Sequence, residues 1–201
     1  MCNCTLVTQE APDFVADAVM PDNTFGTIKL SSYRDKYVIL FFYPLDFTFV
    51  CPSEILAFDK RLADFKSRNC EVIAVSVDSK FTHLAWKNTP VENGGIGGVG
   101  YPLVSDLRKE ISKQYGVLFE KVGVALRGLF LIDTKGIVRH AVINDLPLGR
   151  SVNEALRMVD ALQFVETHGD QVCPANWQEG DEAMKPTAEG VANYLVKHAK
   201  R

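Results

Sequence analysis

Hydrophobic and polar positions follow readable periods along most of the chain. Residues 37–43 (YVILFFY) are apolar without a break, the pattern of a strand buried on both faces of a sheet. From Pro52 to Asn69 the period changes. Ile55, Phe58, Leu62 and Phe65 recur at helical spacing, with Asp59, Lys60, Asp64 and Lys66 elsewhere, which predicts an amphipathic helix. Residues 70–77 (CEVIAVSV) return to a buried-strand pattern. Strand, helix and strand with short joins form a βαβ unit, so the two strands are expected to be parallel.

Two further apolar segments, 128–132 and 137–143, flank Asp133-Thr134-Lys135-Gly136, which is good turn chemistry for a hairpin. Ser151-Val152-Asn153-Glu154 is a capping box that opens a helix bearing Val152, Leu156, Val159 and Leu162 on one face. Near Cys173 the chain changes character. CPANWQEGDEAMKP has few periodic hydrophobics and two prolines, and reads as an arm followed by a short helix near 187–198. The expected class is α/β: a mixed sheet with helices on both faces, in three layers, and a C-terminal arm. There is no internal repeat.

Length and composition add bounds. A chain of 201 residues can bury one sizeable core. The 22 basic and 25 acidic residues leave a net charge of -3, which argues against a nucleic-acid partner. The N-terminal MCNCTLVTQEAPDF has no basic start and no long apolar run, so no signal peptide is expected. The longest apolar run is too short for a bilayer. Five cysteines, Cys2, Cys4, Cys51, Cys70 and Cys173, are an odd and sparse set. With no secretion signal they suit a reduced, cytoplasmic setting.

Candidate chemistry centres on Cys51, in Pro44-Leu45-Asp46-Phe47-Thr48-Phe49-Val50-Cys51-Pro52. This segment leaves the carboxyl end of a predicted strand, the edge where sites gather in open α/β sheets. Pro52 suits the first helical position, which sets Cys51 at or beside the N-cap, where unpaired N–H groups and the dipole favour a thiolate. Making an ordinary thiol mostly ionised at neutral pH takes about 3.4 kcal/mol. A helix terminus supplies about 0.3–1 kcal/mol, rising to ~2 in a sheltered geometry, so a cation is needed. Arg127 is the candidate, because arginine stays charged when buried.

Ionisation alone gives little speed. A roughly 30-fold gain in thiolate is offset by a roughly 13-fold loss of nucleophilicity, taking disulfide exchange as a guide. A fast enzyme also needs donors for the leaving oxygen, a part open to Thr48 and Arg127. The bland alternative, a small buried hydrophobe, applies to any lone cysteine.

Pro44, Thr48 and Cys51 match the P-x-x-x-T-x-x-C signature of the peroxiredoxins. APDF (11–14), FTFVCPSE (47–54), FTHLAW (81–86), YPLVSD (101–106), RGLFLID (127–133), LGRSV (148–152) and VCPANW (172–177) resemble the typical two-cysteine class in order along the chain. The resemblance implies a thioredoxin-like three-layer sandwich over residues 1–165, with residues 166–201 as an arm and helix. It implies a peroxidase that reduces hydrogen peroxide and organic hydroperoxides, with no metal or bound cofactor. Cys51 becomes the attacking cysteine, Pro44 its shield from water, Thr48 the peroxide ligand and Arg127 the support of thiolate and transition state. Glu54 and Arg150 resemble the pair that holds that arginine. Glu54 also suits a helix first turn on dipole grounds alone, and Arg150 could be a solvated residue before a cap.

Cys173 resembles the resolving cysteine, which closes an intersubunit disulfide with Cys51 in a head-to-tail homodimer. A thioredoxin-type or flavoprotein reductase would restore the thiols. Rings of five dimers are implied, and a holdase chaperone or redox relay is the rival role. Cys70 reads as structural. Cys2-x-Cys4 lacks the second pair a zinc site wants. The formal G-x-G-x-x-G within Gly94–Gly100 neither follows a strand nor opens a helix, which speaks against a dinucleotide site. It resembles the glycine-rich insertion linked to overoxidation, whose usual Tyr-Phe partner is here Tyr194-Leu195. His83, His140, His168 and His198 lack metal spacing. A cysteine hydrolase using one of them as base is allowed by composition, but the Cys51 context needs no base. No C-x-x-C follows Cys51, against a general disulfide oxidoreductase.

Overall fold

The computed structural model describes residues 5–198. By its internal contacts the chain divides between Val152 and Asn153 into two compact units. The first holds strands β1 (Val15–Val19), β2 (Phe25–Lys29), β3 (Tyr37–Phe42), β4 (Cys70–Ser76), β5 (Leu103–Ser105), β6 (Leu118–Phe119), β7 (Val124–Ala125), β8 (Arg127–Ile132) and β9 (Val138–Asn144). Its helices are α1 (Cys51–Lys60), α2 (Leu62–Ser67), α3 (Lys80–Asn88) and α4 (Glu110–Gln114). Seven strands form one mixed sheet in the order β2-β1-β5-β4-β3-β8-β9, and β6 pairs with β7.

The sheet is built around the unbroken apolar run. All six residues of β3 are buried, and β3 lies between parallel β4 and antiparallel β8, so the expected βαβ unit is present. Side chains alternate across it. Phe41 points one way, its ring stacked on Phe58 of α1 at 4.5 Å. Val38, Leu40 and Phe42 point the other way, into a cluster with Phe130, Tyr115 and Ile111 of α4. Helices thus cover both faces.

The hairpin at 133–136 is also as expected. Gly136 adopts φ 83°, a left-handed conformation that glycine takes without steric cost, and β8 pairs antiparallel with β9. The single helix expected over 52–69 is two helices. At Arg61 the ladder tightens to three-residue bonds, Arg61 N–H to Phe58 O at 3.2 Å and Asp64 N–H to Arg61 O at 3.0 Å, the mark of a local 3₁₀ step. Strands β1, β2 and β5 escaped the sequence pattern, being five, five and three residues long with too few positions to show a period.

In the second unit, α5 (Val152–Thr167, its first residue in the first unit) begins where the capping box predicts, and α6 (Ala188–His198) closes the described chain. Between them the arm folds back on itself. Val172 and Met184 exchange both backbone hydrogen bonds, at 2.8 and 3.0 Å. Trp177, 2% exposed, packs on Phe164 of α5 with ring centroids 4.8 Å apart. Glu182 accepts from Lys197 at 2.7 Å and pairs with His198 at 3.0 Å. Cys2 and Cys4 lie outside the described residues. Among those described, no helix is long and apolar enough to cross a membrane.

Candidate active site

Cys51 is the first residue of α1, with Val50 as N-cap and Pro52 in the first turn. Its side chain is fully buried. The chain reaches it from β3 through a tight loop, residues 43–50, in which Pro44 is buried. Phe47 turns the loop with φ 53°, a left-handed conformation that costs a non-glycine residue about 1–2 kcal/mol.

Contacts on either side of Phe47 hold the turn. Asp46 donates its N–H to Asp78 at 2.9 Å. Its carboxylate accepts from the Tyr43 hydroxyl at 2.8 Å and meets His83 Nδ1 at 2.7 Å. Burial pushes the Asp46 carboxyl up, against the pull of His83. The Phe47 ring lies 5.8 Å from that of Trp86. Strain stored at a site and paid for by its surroundings is a common functional arrangement. Sequence reading missed this network: His83 stands 37 residues from Asp46, and no spacing rule links them.

Around the sulfur the structure collects Thr48 and Arg127. Thr48 Oγ1 lies 2.9 Å from Cys51 Sγ and 2.8 Å from the Leu45 carbonyl. A hydroxyl has one proton, so it cannot donate to both. Opposite a protonated thiol it donates to Leu45 and accepts from S–H. Opposite a thiolate it swings its proton to sulfur. Arg127 opens β8 and directs Nη1 to Cys51 Sγ at 3.5 Å and to Glu54 Oε2 at 2.6 Å, while Nε donates to the Leu146 carbonyl at 2.7 Å.

Glu54 and Arg150 complete the cluster. Glu54 Oε1 accepts from the Arg150 backbone N–H at 2.8 Å and Nε at 2.7 Å. Its Oε2 accepts from Arg150 Nη2 at 3.0 Å as well as from Arg127. Arg150 Nη1 donates to the Gly128 carbonyl at 2.6 Å, and its guanidinium lies 5.2 Å from the Phe41 ring centre, a cation–π arrangement. Glu54, Arg127 and Arg150 are 4%, 3% and 9% exposed. Neither bland reading survives: Arg150 is buried rather than solvated, and Glu54 does far more than greet a helix dipole. Thr48, Cys51, Glu54, Arg127 and Arg150 therefore meet in one place, and Pro44 is buried in the loop that leads to it.

Charge counting shows what the place suits. Two buried guanidinium groups and one carboxylate leave one positive charge uncompensated, directed at the sulfur. That charge reaches the sulfur through Arg127 Nη1, 3.5 Å from Cys51 Sγ. The cluster also leaves Thr48 Oγ1 and Arg127 Nη1 as donors beside the sulfur, where a leaving oxygen would develop charge.

The other cysteines differ. Burial pushes the Cys70 thiol up to about 12, which makes it inert. Cys173 sits in the second unit, half-buried, with Sγ 3.7 Å from the Ala161 carbonyl. The glycine-rich stretch follows α3 and a 3₁₀ turn at Val91–Asn93 and leads into β5, so it has neither the strand nor the helix of a dinucleotide site.

Comparison with known proteins places the chain in a family. Residues 7–141 match the AhpC/TSA family, and residues 161–197 match the C-terminal domain of 1-Cys peroxiredoxin. The chain is 58% identical over 188 residues to peroxiredoxin-1 of Gekko japonicus, covering 94% of each chain. Among solved structures it resembles the reduced 2-Cys peroxiredoxin of Plasmodium vivax, with TM-score 0.93 and 56% identity over 96% of this chain and all of that one. It also resembles thioredoxin peroxidase I of Plasmodium yoelii, with TM-score 0.77 and 58% identity over 87% of this chain and 99% of that one. The chain belongs to the AhpC/TSA family, the peroxiredoxins, and is a thiol-dependent peroxidase of thioredoxin-like fold.

Proposed function

We propose that Cys51 attacks the hydroperoxide and that Cys173 resolves the product. One observation carries this reading: the net positive, buried cluster of Arg127, Arg150 and Glu54 is directed at a sulfur that also meets Thr48. The thiolate attacks the terminal peroxide oxygen. Its electron pair forms the S–O bond while the O–O bond breaks. The leaving oxygen carries the charge away as hydroxide or alkoxide and takes a proton from solvent. Thr48 and Arg127 donate to the oxygens, and Pro44 keeps water from the sulfur. Glu54 and Arg150 hold the Arg127 fork in register. Hydrogen peroxide and organic hydroperoxides both fit this chemistry.

The sulfenic acid on Cys51 is then attacked by Cys173 of a second copy, giving an intersubunit disulfide. A thioredoxin-type or flavoprotein reductase closes the cycle. The P. yoelii relative is itself named a thioredoxin peroxidase, which supports the first of these. Residues 1–165 act as the peroxidase domain and 166–201 as the arm that delivers the resolving thiol. Pairing of copies is supported by β9, an edge strand carrying the half-exposed Ile143, since an unpaired edge is a template for a second chain. Exposed Phe25, Phe47, Phe49 and Phe81 support further association into a ring of five dimers. The setting is cytoplasmic.

The test is peroxide-dependent oxidation of wild type, Cys51→Ser and Cys173→Ser, read on non-reducing gels and by mass. Wild type is expected to give a disulfide dimer, and Cys173→Ser to stop at sulfenic or sulfinic acid. Cys51→Ser should stay reduced at that dose. Oxidation of Cys51→Ser as fast as wild type would remove Cys51 as the nucleophile.

A further inference from the structure

The thiol assigned to resolution is held by a turn that α5 grips at two points. Cys173 immediately precedes the turn, which the Trp177 N–H closes on the Pro174 carbonyl at 3.2 Å. Arg157, on α5, donates Nη1 to the Trp177 carbonyl at 2.9 Å. One turn further along the same helix, the Ala161 carbonyl faces Cys173 Sγ at 3.7 Å. Arg157 is itself fixed by Glu154, which accepts from Nε and Nη2 at 2.7 Å each. A two-point fork of this kind sets the direction of a guanidinium as well as its position.

We infer that Arg157 is a positioning residue of the resolving step, fixing the turn that follows Cys173 and holding a positive charge one helical turn from the carbonyl that faces its sulfur. This rests on Cys173 being the resolving cysteine. As docked, the thiol faces a helix carbonyl and is a donor, not a nucleophile. Burial raises its ionisation range and Arg157 opposes that rise. Other charged groups nearby are already engaged. Glu154 is paired to Arg157, Asp181 accepts from the Gln178 N–H at 2.9 Å, and Glu182 is held by Lys197 and His198. Asp160, His168 and Glu179 line the cavity beside Trp177, and His168 stacks on Phe164.

In the step itself the Cys173 thiolate gives its electron pair to the Cys51 sulfur. The S–O bond of the sulfenic acid breaks, and the departing hydroxide takes up the proton that Cys173 released, leaving water. The oxidant is the sulfenic acid that the peroxide made. Only the thiolate attacks, so a cation held near Cys173 speeds resolution without touching the peroxide step.

The experiment mixes reduced full-length protein with one equivalent of hydrogen peroxide, from about pH 6 to 9, and follows Cys51 oxidation and disulfide formation separately. Cys51 oxidation at the wild-type rate reports an intact fold. Arg157→Met should move the pH midpoint of disulfide formation up by about half a pH unit. Below that midpoint, resolution should slow about threefold, the size expected of a partly exposed charge pair. Arg157→Lys keeps the charge and should restore the midpoint. A midpoint unmoved in Arg157→Met overturns the inference, as does an equal shift in both variants, which would leave the charge no part in the step. Disulfide dimers formed by Cys173→Ser would instead overturn the assignment of the resolving cysteine, whatever Arg157 does.

Discussion

Replacing Thr48 with valine removes a hydroxyl and keeps the shape of the side chain. Two contacts are lost, at 2.9 Å to Cys51 Sγ and 2.8 Å to the Leu45 carbonyl. The carbonyl, left without that partner in a part-buried loop, costs about 1 kcal/mol of stability. The loss in rate is larger. As the O–O bond breaks, charge grows on an oxygen bound beside the sulfur, within reach of the hydroxyl that now touches Sγ. One preorganised donor to such charge accounts for about 10²–10³ in rate, or roughly 2.7–4 kcal/mol. Serine keeps the donor and loses only a methyl group, so Thr48→Ser should stay within about tenfold of wild type. The assay is the second-order rate constant for Cys51 oxidation by hydrogen peroxide in a rapid-mixing instrument, with thermal melts alongside. A valine variant that melts normally and reacts within about tenfold of wild type refutes the donor role. A serine variant as slow as valine refutes it too, because packing would then be the cause.

Three further predictions use other parts of the chain. Asp133 accepts from the N–H groups of Lys135 and Ile137 and from Arg139. Burial raises its carboxyl, but these bonds outweigh burial and hold it below the usual range. Its contribution is therefore complete above the unfolded value of about 3.9 and fades as pH falls through the lower folded value. Asp133→Asn should cost about 1–3 kcal/mol at neutral pH, chiefly through the lost bond to Arg139, with the gap to wild type narrowing in acid, as measured by urea unfolding at a series of pH values. Cys70, with its thiol at about 12, has a thiolate fraction near ~10⁻⁴ at pH 8. Native alkylation read by mass should leave it unmodified while Cys173 reacts, and equal labelling would contradict its burial. Leu195, 49% exposed on α6, stands where the family's aromatic pair has its second ring. Leu195→Phe should raise the sulfinic acid formed per turnover about two- to tenfold, the worth of one aromatic contact, and an unchanged yield would remove α6 from control of overoxidation.

How much of this was legible beforehand depended on distance along the chain. The β3–α1–β4 unit could be read because each element carries its own apolar pattern over six or more residues. The place of Cys51 could be read because Cys-Pro after a buried strand is a local signal. The meeting of Glu54 with Arg150, 96 residues away, and with Arg127, 73 away, has no local signal, and only the family resemblance pointed to it. The Asp46–His83 contact had not even that. The break at Arg61 was invisible for another reason: no glycine or proline marks it, and the hydrophobic face runs on from Phe58 through Leu62 to Phe65 as though the helix were continuous.

The Arg127–Glu54–Arg150 cluster is a poor way to build stability. Removing three charges from water costs several kcal/mol per ion, and an apolar cluster of equal volume is often as stable or more so. Its hydrogen bonds offset that cost without explaining the choice of residues, since one arginine and one glutamate would balance. The second cation is what needs a reason. With Cys51 protonated the cluster carries an excess positive charge where water cannot screen it, and with Cys51 ionised it does not. The fold thus directs an excess positive charge at the Cys51 sulfur. Removing Arg127 alone, as in Arg127→Met, leaves Glu54 and Arg150 mutually compensated and the thiolate alone. At 3.5 Å and an effective dielectric near 20, the lost attraction is of order 4–5 kcal/mol, an upper bound on what the variant forfeits in peroxide rate. Stability should fall by only about 1 kcal/mol, for the Leu146 carbonyl left without its donor, because the remaining pair is neutral. A variant that is much less stable, yet reacts at the wild-type rate under conditions where it stays folded, would show that the extra cation serves the structure rather than the sulfur.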